Sequence, residues 1–125
     1  MPPVRPRDAA SLVIHRRRTT HPEVLMGRRG NKERFTPGVY VFPGGGLDRA
    51  DYRAQPARPL AADLVSQLAV AHSHSKANAL AMAAVREAHE EAGLMFGVPG
   101  SVGAVDHASW DAFRRAARAP DLGEL

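Results

Sequence analysis

Ala83-Ala84-Val85-Arg86-Glu87-Ala88-His89-Glu90-Glu91-Ala92-Gly93-Leu94 sets four charged residues in six positions of a stretch with no proline. At about 100° per residue, a helix gathers Arg86, Glu87, Glu90 and Glu91 on an arc of roughly 140°, with Glu90 one turn from Arg86. Ala81, Ala84, Val85, Ala88 and Ala92 fall on another arc, where small apolar side chains can seat the helix closely on a sheet. Gly93 supplies the left-handed stop.

Three like charges within one turn repel unless a cation neutralises them, and clustered carboxylates suit hard oxygen-seeking metals such as Mg²⁺ or Mn²⁺ better than Zn²⁺. An acidic helix face can also be simply a solvated one. Upstream, the apolar run Val39-Tyr40-Val41 leads into Phe42-Pro43-Gly44-Gly45, which reads as a strand followed by a tight glycine turn. Strand, glycine turn and acidic helix form one constellation, and that favours the metal reading.

At these residues the chain resembles the Nudix hydrolases, whose box reads G, five residues, E, seven residues, R-E-U-x-E-E-x-G-U, with U aliphatic. Arg86-Glu87-Ala88-His89-Glu90-Glu91-Ala92-Gly93-Leu94 fits the second half at every fixed position. With Gly45 as the box glycine, Arg86 lies forty-one residues on instead of fourteen, an excess of twenty-seven. Counted back from Arg86, the position of the first glutamate holds Asn78. The box is interrupted by an insertion at about residues 47–77, and this interruption, with residues 35–45, is similar to the branch that includes the peroxisomal coenzyme A diphosphatases.

The resemblance implies a Nudix-type α/β/α sandwich with a mixed sheet. It also implies Mg²⁺- or Mn²⁺-dependent hydrolysis of a pyrophosphate bond in a nucleoside diphosphate linked to another moiety, coenzyme A or its acyl derivatives among them. Glu90 and Glu91 would hold the metal directly with help from the Gly45 carbonyl, Glu87 would complete the metal cluster or position the attacking water, and Arg86 would orient the carboxylates. Gly44 and Gly45, with Arg28 and Arg29, would contact the substrate. The alternative is a non-catalytic Nudix-like domain that binds a nucleotide or a protein partner, for which Asn78 is the best support.

With 125 residues and 44% hydrophobic content, the chain has material for one modest core, so residues 1–125 read as a single domain. It has no cysteine, hence no disulfide and no thiolate metal site. No apolar run approaches the roughly 20 residues of a membrane span, and residues 1–18 lack the apolar centre of a signal peptide, so a cytoplasmic protein is expected. Residues 1–34 carry nine Arg or Lys against three acids, and the remainder carries eight against ten. A basic front beside an acidic helix suits a polyphosphate substrate. Nucleic acid is not expected as a partner, because Arg16-Arg17-Arg18 has no interleaved aromatics.

Along the rest of the chain, Ala9-Ala10-Ser11-Leu12-Val13-Ile14-His15 and Val24-Leu25-Met26-Gly27-Arg28 read as strands, joined as a hairpin by the turn residues Thr19-Thr20-His21-Pro22. The insertion reads as a loop and then a helix over residues 60–71, with Ser75 as the cap of the next helix. His72, His74 and His89 lack the spacing of a zinc site. A strand over residues 102–105 and a helix capped at Ser109 follow, with Trp110, Phe113 and Ala117 on its core face. Only 31 residues follow Leu94, fewer than the resemblance calls for. Residues 1–125 are therefore expected to be a front portion, catalytically incomplete alone, with apolar edges exposed at residues 12–14 and 39–42.

Overall fold

The computed structural model describes residues 6–28, 38–69, 73–105 and 108–125. Its longest element is a helix of 19 residues, His74–Ala92, here α2, and the remaining elements are arranged around it. Ser73, not Ser75, caps its start: the Ser73 hydroxyl accepts from the Lys76 N–H at 3.1 Å, satisfying one of the free donors of the first turn. Gly93 ends it as expected, with φ of 70° and its N–H on the His89 carbonyl at 2.9 Å. At that φ any side chain is strained, so glycine is the residue that can stop the helix there. The buried side of α2 is mostly alanine, from Ala77 to Ala88, with Leu80, Met82 and Val85. Ala92 is exposed.

Strands pair as two-stranded antiparallel ladders. β1 (Ala9–Ser11) pairs with β6 (Gly44–Gly46), in the register Ala9 to Gly46, Ala10 to Gly45 and Ser11 to Gly44. The glycine run is therefore a strand and not the tight turn expected of it; the bend falls at Pro43, whose carbonyl accepts from Leu12 N–H at 2.8 Å. The expected hairpin is present as β2 (His15–Arg17) against β3 (Pro22–Val24), later along the first segment than its apolar run suggests. β4 (Gly27–Arg28) pairs with β5 (Tyr40–Val41). β7 (Gly97–Pro99) pairs with β8 (Arg118–Pro120), which replaces the strand expected over residues 102–105. Val102 and Val105 are instead buried outside any strand.

The interrupting segment is part of the core. Its first residues form a 3-10 turn, Arg49–Tyr52, and then α1 (Ala62–Leu68), shorter than the helix read from the sequence. Ala50, Ala54 and Leu60 pack with Met82 and Val85 of α2 and with Val102, Val105, Trp110, Phe113 and Leu122 from the end of the chain. The Trp110 and Phe113 rings pack at a tilt, with centroids 5.0 Å apart and planes 58° to each other. Their helix, α3 (Asp111–Arg115), is short: Ser109 does not cap it, and Ala117 lies beyond it, exposed, with φ of 52°. Arg58 pins the segment to the C-terminal residues through two hydrogen bonds to buried Asp121, at 2.8 and 2.6 Å, and one to Glu124 at 3.1 Å. Of the residues expected to form apolar edges, Val13, Val39, Tyr40 and Phe42 are exposed, while Leu12, Ile14 and Val41 are half-buried.

Candidate functional site

β6 crosses the acidic turns of α2, and each of its three glycines meets that helix differently. The Gly44 N–H donates to Glu91 Oε2 at 3.2 Å, and the Gly46 carbonyl accepts from Arg86 Nη2 at 2.9 Å. Gly45 lies so near Glu87 that a Cβ there would stand 2.5 and 2.8 Å from the two carboxylate oxygens. Any side chain there would push the Glu87 carboxylate aside, which gives the glycine a packing reason independent of turn chemistry.

Arg86 is the hub. Helical spacing puts it on one arc with the acids, yet it is only 3% exposed. Its Nε and Nη2 donate to the two carboxylate oxygens of Asp51, at 2.9 and 3.0 Å, as a planar fork. Its Nη1 donates to Glu87 Oε1 at 2.8 Å and lies 3.5 Å from Glu90 Oε2. Burial works against the guanidinium charge, but Asp51 and then Glu87 more than offset it, so the Arg86 pKa is raised. Asp51, 1% exposed, also accepts from Trp110 Nε1 at 3.1 Å and from the Asp48 N–H at 2.8 Å. Asp48 in turn accepts from Ser109 Oγ at 2.7 Å.

Asp51 was missed in the sequence, and a signal for it existed. Counted forward from Gly45, five residues intervene before Asp51, the spacing at which the motif puts its first acid. Counting back from Arg86 leads to Asn78 only because the interruption comes after that acid. Asn78 donates to the His74 carbonyl at 2.9 Å in the first turns of α2 and takes no part in the cluster.

Burial raises the Glu87 pKa, Arg86 opposes that, and Glu90 and Asp51 add to it. The donors available to a divalent cation are the Glu87, Glu90 and Glu91 carboxylates and the β6 carbonyls. All are hard oxygens, and Glu87 is cradled against Gly45 where any side chain would displace it, so the donor chemistry fits Mg²⁺ or Mn²⁺. Among the described residues no three His, Asp or Glu side chains converge closely enough to form a metal cage. Glu87 faces Arg86 and Glu91 faces Gly44 instead.

Arg28 is not among these contacts: its Nε donates to the Gly38 carbonyl at 3.3 Å. Arg29 and His72 lie outside the described residues. His89 rests edge-on to Phe113, at 5.8 Å between ring centroids, with Nδ1 buried and unpartnered among the described residues.

No protein-family model matches the chain, and no curated protein matches it. Among solved structures, it is similar to the crystal structure of a NUDIX hydrolase from Alicyclobacillus acidocaldarius, with 28% identity and a TM-score of 0.65, over 93% of this chain and 57% of that one. The chain thus spans little more than half of that protein's length, and its mixed α/β architecture is of the same type.

Proposed function

We propose that this chain, whose fold is that of a Nudix hydrolase, belongs to an enzyme that hydrolyses a pyrophosphate bond in a nucleoside diphosphate linked to another moiety. One observation carries the reading: a buried guanidinium, fixed by Asp51, reaches both Glu87 and Glu90 while the glycine strand holds Glu91. Glu87, Glu90 and Glu91, with a carbonyl of Gly45, would hold Mg²⁺ or Mn²⁺. Such an ion, when bound, lowers the pKa of a coordinated water and neutralises charge on phosphoryl oxygens.

The chain's own residues prepare the site for this chemistry. Arg86 fixes the orientation of Glu87 and Glu90, and Asp51 removes its freedom to swing away. Glu87, whose affinity for a proton is raised by burial, is suited to orient the attacking water and take up its proton. Exposed cations of the front segment, among them Arg17, are available to a phosphate-rich substrate. Coenzyme A or an acyl derivative is the substrate we favour, from the likeness of residues 35–45 to that branch.

The test is incubation of the full-length protein with Mg²⁺ and, in separate tubes, coenzyme A, ADP-ribose, dinucleoside polyphosphates and nucleoside triphosphates, with products read by mass. Cleavage between two phosphorus atoms is expected, with coenzyme A giving 3′,5′-ADP. If coenzyme A is inert while another tube reacts, the substrate choice fails and the hydrolase reading stands. The second reading is a domain that binds nucleotides without turnover. Binding without product in every tube is its signature.

A further inference from the structure

The buried carboxylate of Asp51 is occupied on both oxygens. Oδ1 accepts from Arg86 Nε at 2.9 Å and from Trp110 Nε1 at 3.1 Å, while Oδ2 accepts from Arg86 Nη2 at 3.0 Å and from the Asp48 N–H at 2.8 Å. A carboxylate offers about four acceptor sites, so these donors leave it no spare direction. Two of them belong to the guanidinium and one to the turn that carries Asp51. The remaining one, Trp110, stands 59 residues further along the chain.

The outer donors have a task that the fork itself cannot perform. Two parallel hydrogen bonds can swing as one rigid unit without either breaking, because both partners turn together. A donor fixed outside the pair stops the swing, and Trp110 is such a donor: it is 0% exposed and packed against Phe113, so the core sets the direction of its N–H. The adjacent Ser109 steadies the other outer donor, since its hydroxyl donates to Asp48 Oδ2 at 2.7 Å and Asp48 supplies the second N–H. Any swing of the fork would be carried to Arg86 Nη1, which lies 2.8 Å from Glu87 Oε1 and 3.5 Å from Glu90 Oε2.

Resting on the hydrolase reading above, we infer that Trp110 is a positioning residue: through Asp51 and Arg86 its indole N–H fixes the orientation of Glu87, and Ser109 braces the same turn through Asp48. A tryptophan held for packing alone can satisfy its N–H on any nearby carbonyl. Here that N–H lies on the carboxylate that holds Arg86, so residues near the end of the chain govern the geometry of the α2 acids.

The experiment compares Trp110→Phe and Trp110→3-benzothienylalanine, an isostere that keeps the bicyclic shape and carries sulfur in place of the N–H, with the packing control Phe113→Leu, all in the full-length protein. Two quantities are read: hydrogen exchange of the Arg86 Nε proton relative to the α2 backbone amides, by NMR without metal or substrate, and kcat and KM for Mg²⁺-dependent diphosphate hydrolysis. Losing a hydrogen bond to a charged group is expected to raise the exchange ratio by about tenfold or more in both position-110 variants. Their kcat is expected to fall by about tenfold or more with KM unchanged. Phe113→Leu loosens the same core and keeps the N–H, so its exchange ratio and kcat are expected to stay near wild type. A ratio unchanged in the isostere, or raised equally in Phe113→Leu, overturns the inference. So does a raised ratio with wild-type kcat, and so does failure of both position-110 variants to fold, because Trp110 would then serve the fold alone. A raised ratio in a protein whose wild-type form cleaves no diphosphate sinks the hydrolase reading and leaves the coupling of Trp110 to Arg86 standing.

Discussion

Arg86 and Asp51 are joined by two parallel hydrogen bonds, of 2.9 and 3.0 Å, across 35 residues of sequence, with both side chains almost wholly withdrawn from solvent. The pair ties the 3-10 turn at the start of the interrupting segment to the middle of α2. Its remaining donors go to the glycine strand and to Glu87. One ion pair therefore joins fold and site.

Replacing Asp51 by Asn removes the carboxylate that accepts two of the buried guanidinium's hydrogen bonds and leaves Glu87 as its main charged partner. Removing one partner of a buried pair costs about 3–5 kcal/mol. Urea unfolding of Asp51→Asn is expected to show a loss on that scale, and the double variant Asp51→Leu/Arg86→Met is expected to be more stable than Asp51→Asn. A loss under about 1 kcal/mol in the single variant would mean that the pair does not anchor the helix.

Adjacent glycines make a sharper contrast. Gly45→Ala would drive a methyl group into the Glu87 carboxylate, whereas a Cβ at Gly46 meets nothing within 4 Å. Displacing a catalytic group by about 1 Å can cost on the order of 10²-fold in rate. Steady-state kinetics should find that loss in Gly45→Ala and a Gly46→Ala protein close to wild type. Equal rates in the two variants would refute the role given to the Gly45 contact.

The fold and site were legible where local rules decide, and hidden where distant partners do. The period of the alanines, the Gly93 stop and the turn residues of the β2–β3 hairpin each act within a few positions, and each is present. The glycine run escaped because its strand partner, Ala9–Ser11, is remote in sequence and no side chain on the glycines advertises the pairing. Helical spacing puts Arg86 on the arc of the acids, and its burial comes from a ligand thirty-five residues upstream in the interrupting segment, which Ala50, Asp51, Ala54 and Leu60 make part of the core. Ala117 followed helical spacing from Phe113, but α3 ends at Arg115, so the spacing no longer held.

Acid should loosen the C-terminal end in a defined window. Arg58 first, and the Gly123 N–H next, hold the Asp121 carboxyl below its ordinary value of 3.8, with burial opposing them. The folded state then binds fewer protons at Asp121 than the unfolded state, so this contribution is present above about pH 4 and drains away as pH falls through the lowered folded value. Urea midpoints at about pH 5 and about pH 3 should separate more in the wild-type protein than in Asp121→Asn. An identical separation in both would show that Asp121 does not carry the effect.

The central claim is that the α2 carboxylates perform metal-assisted cleavage. Its most direct test is the Mg²⁺-dependent rate of diphosphate hydrolysis by the full-length protein beside its Glu90→Gln and Glu91→Gln variants. Both substitutions keep size and hydrogen bonding while removing a ligating charge, and both side chains are at the exposed end of the cluster, so stability should change by no more than a few tenths of a kcal/mol. The account predicts a rate loss of at least about 10²-fold in each variant, with thermal transitions unchanged. Wild-type rates in both variants would contradict it.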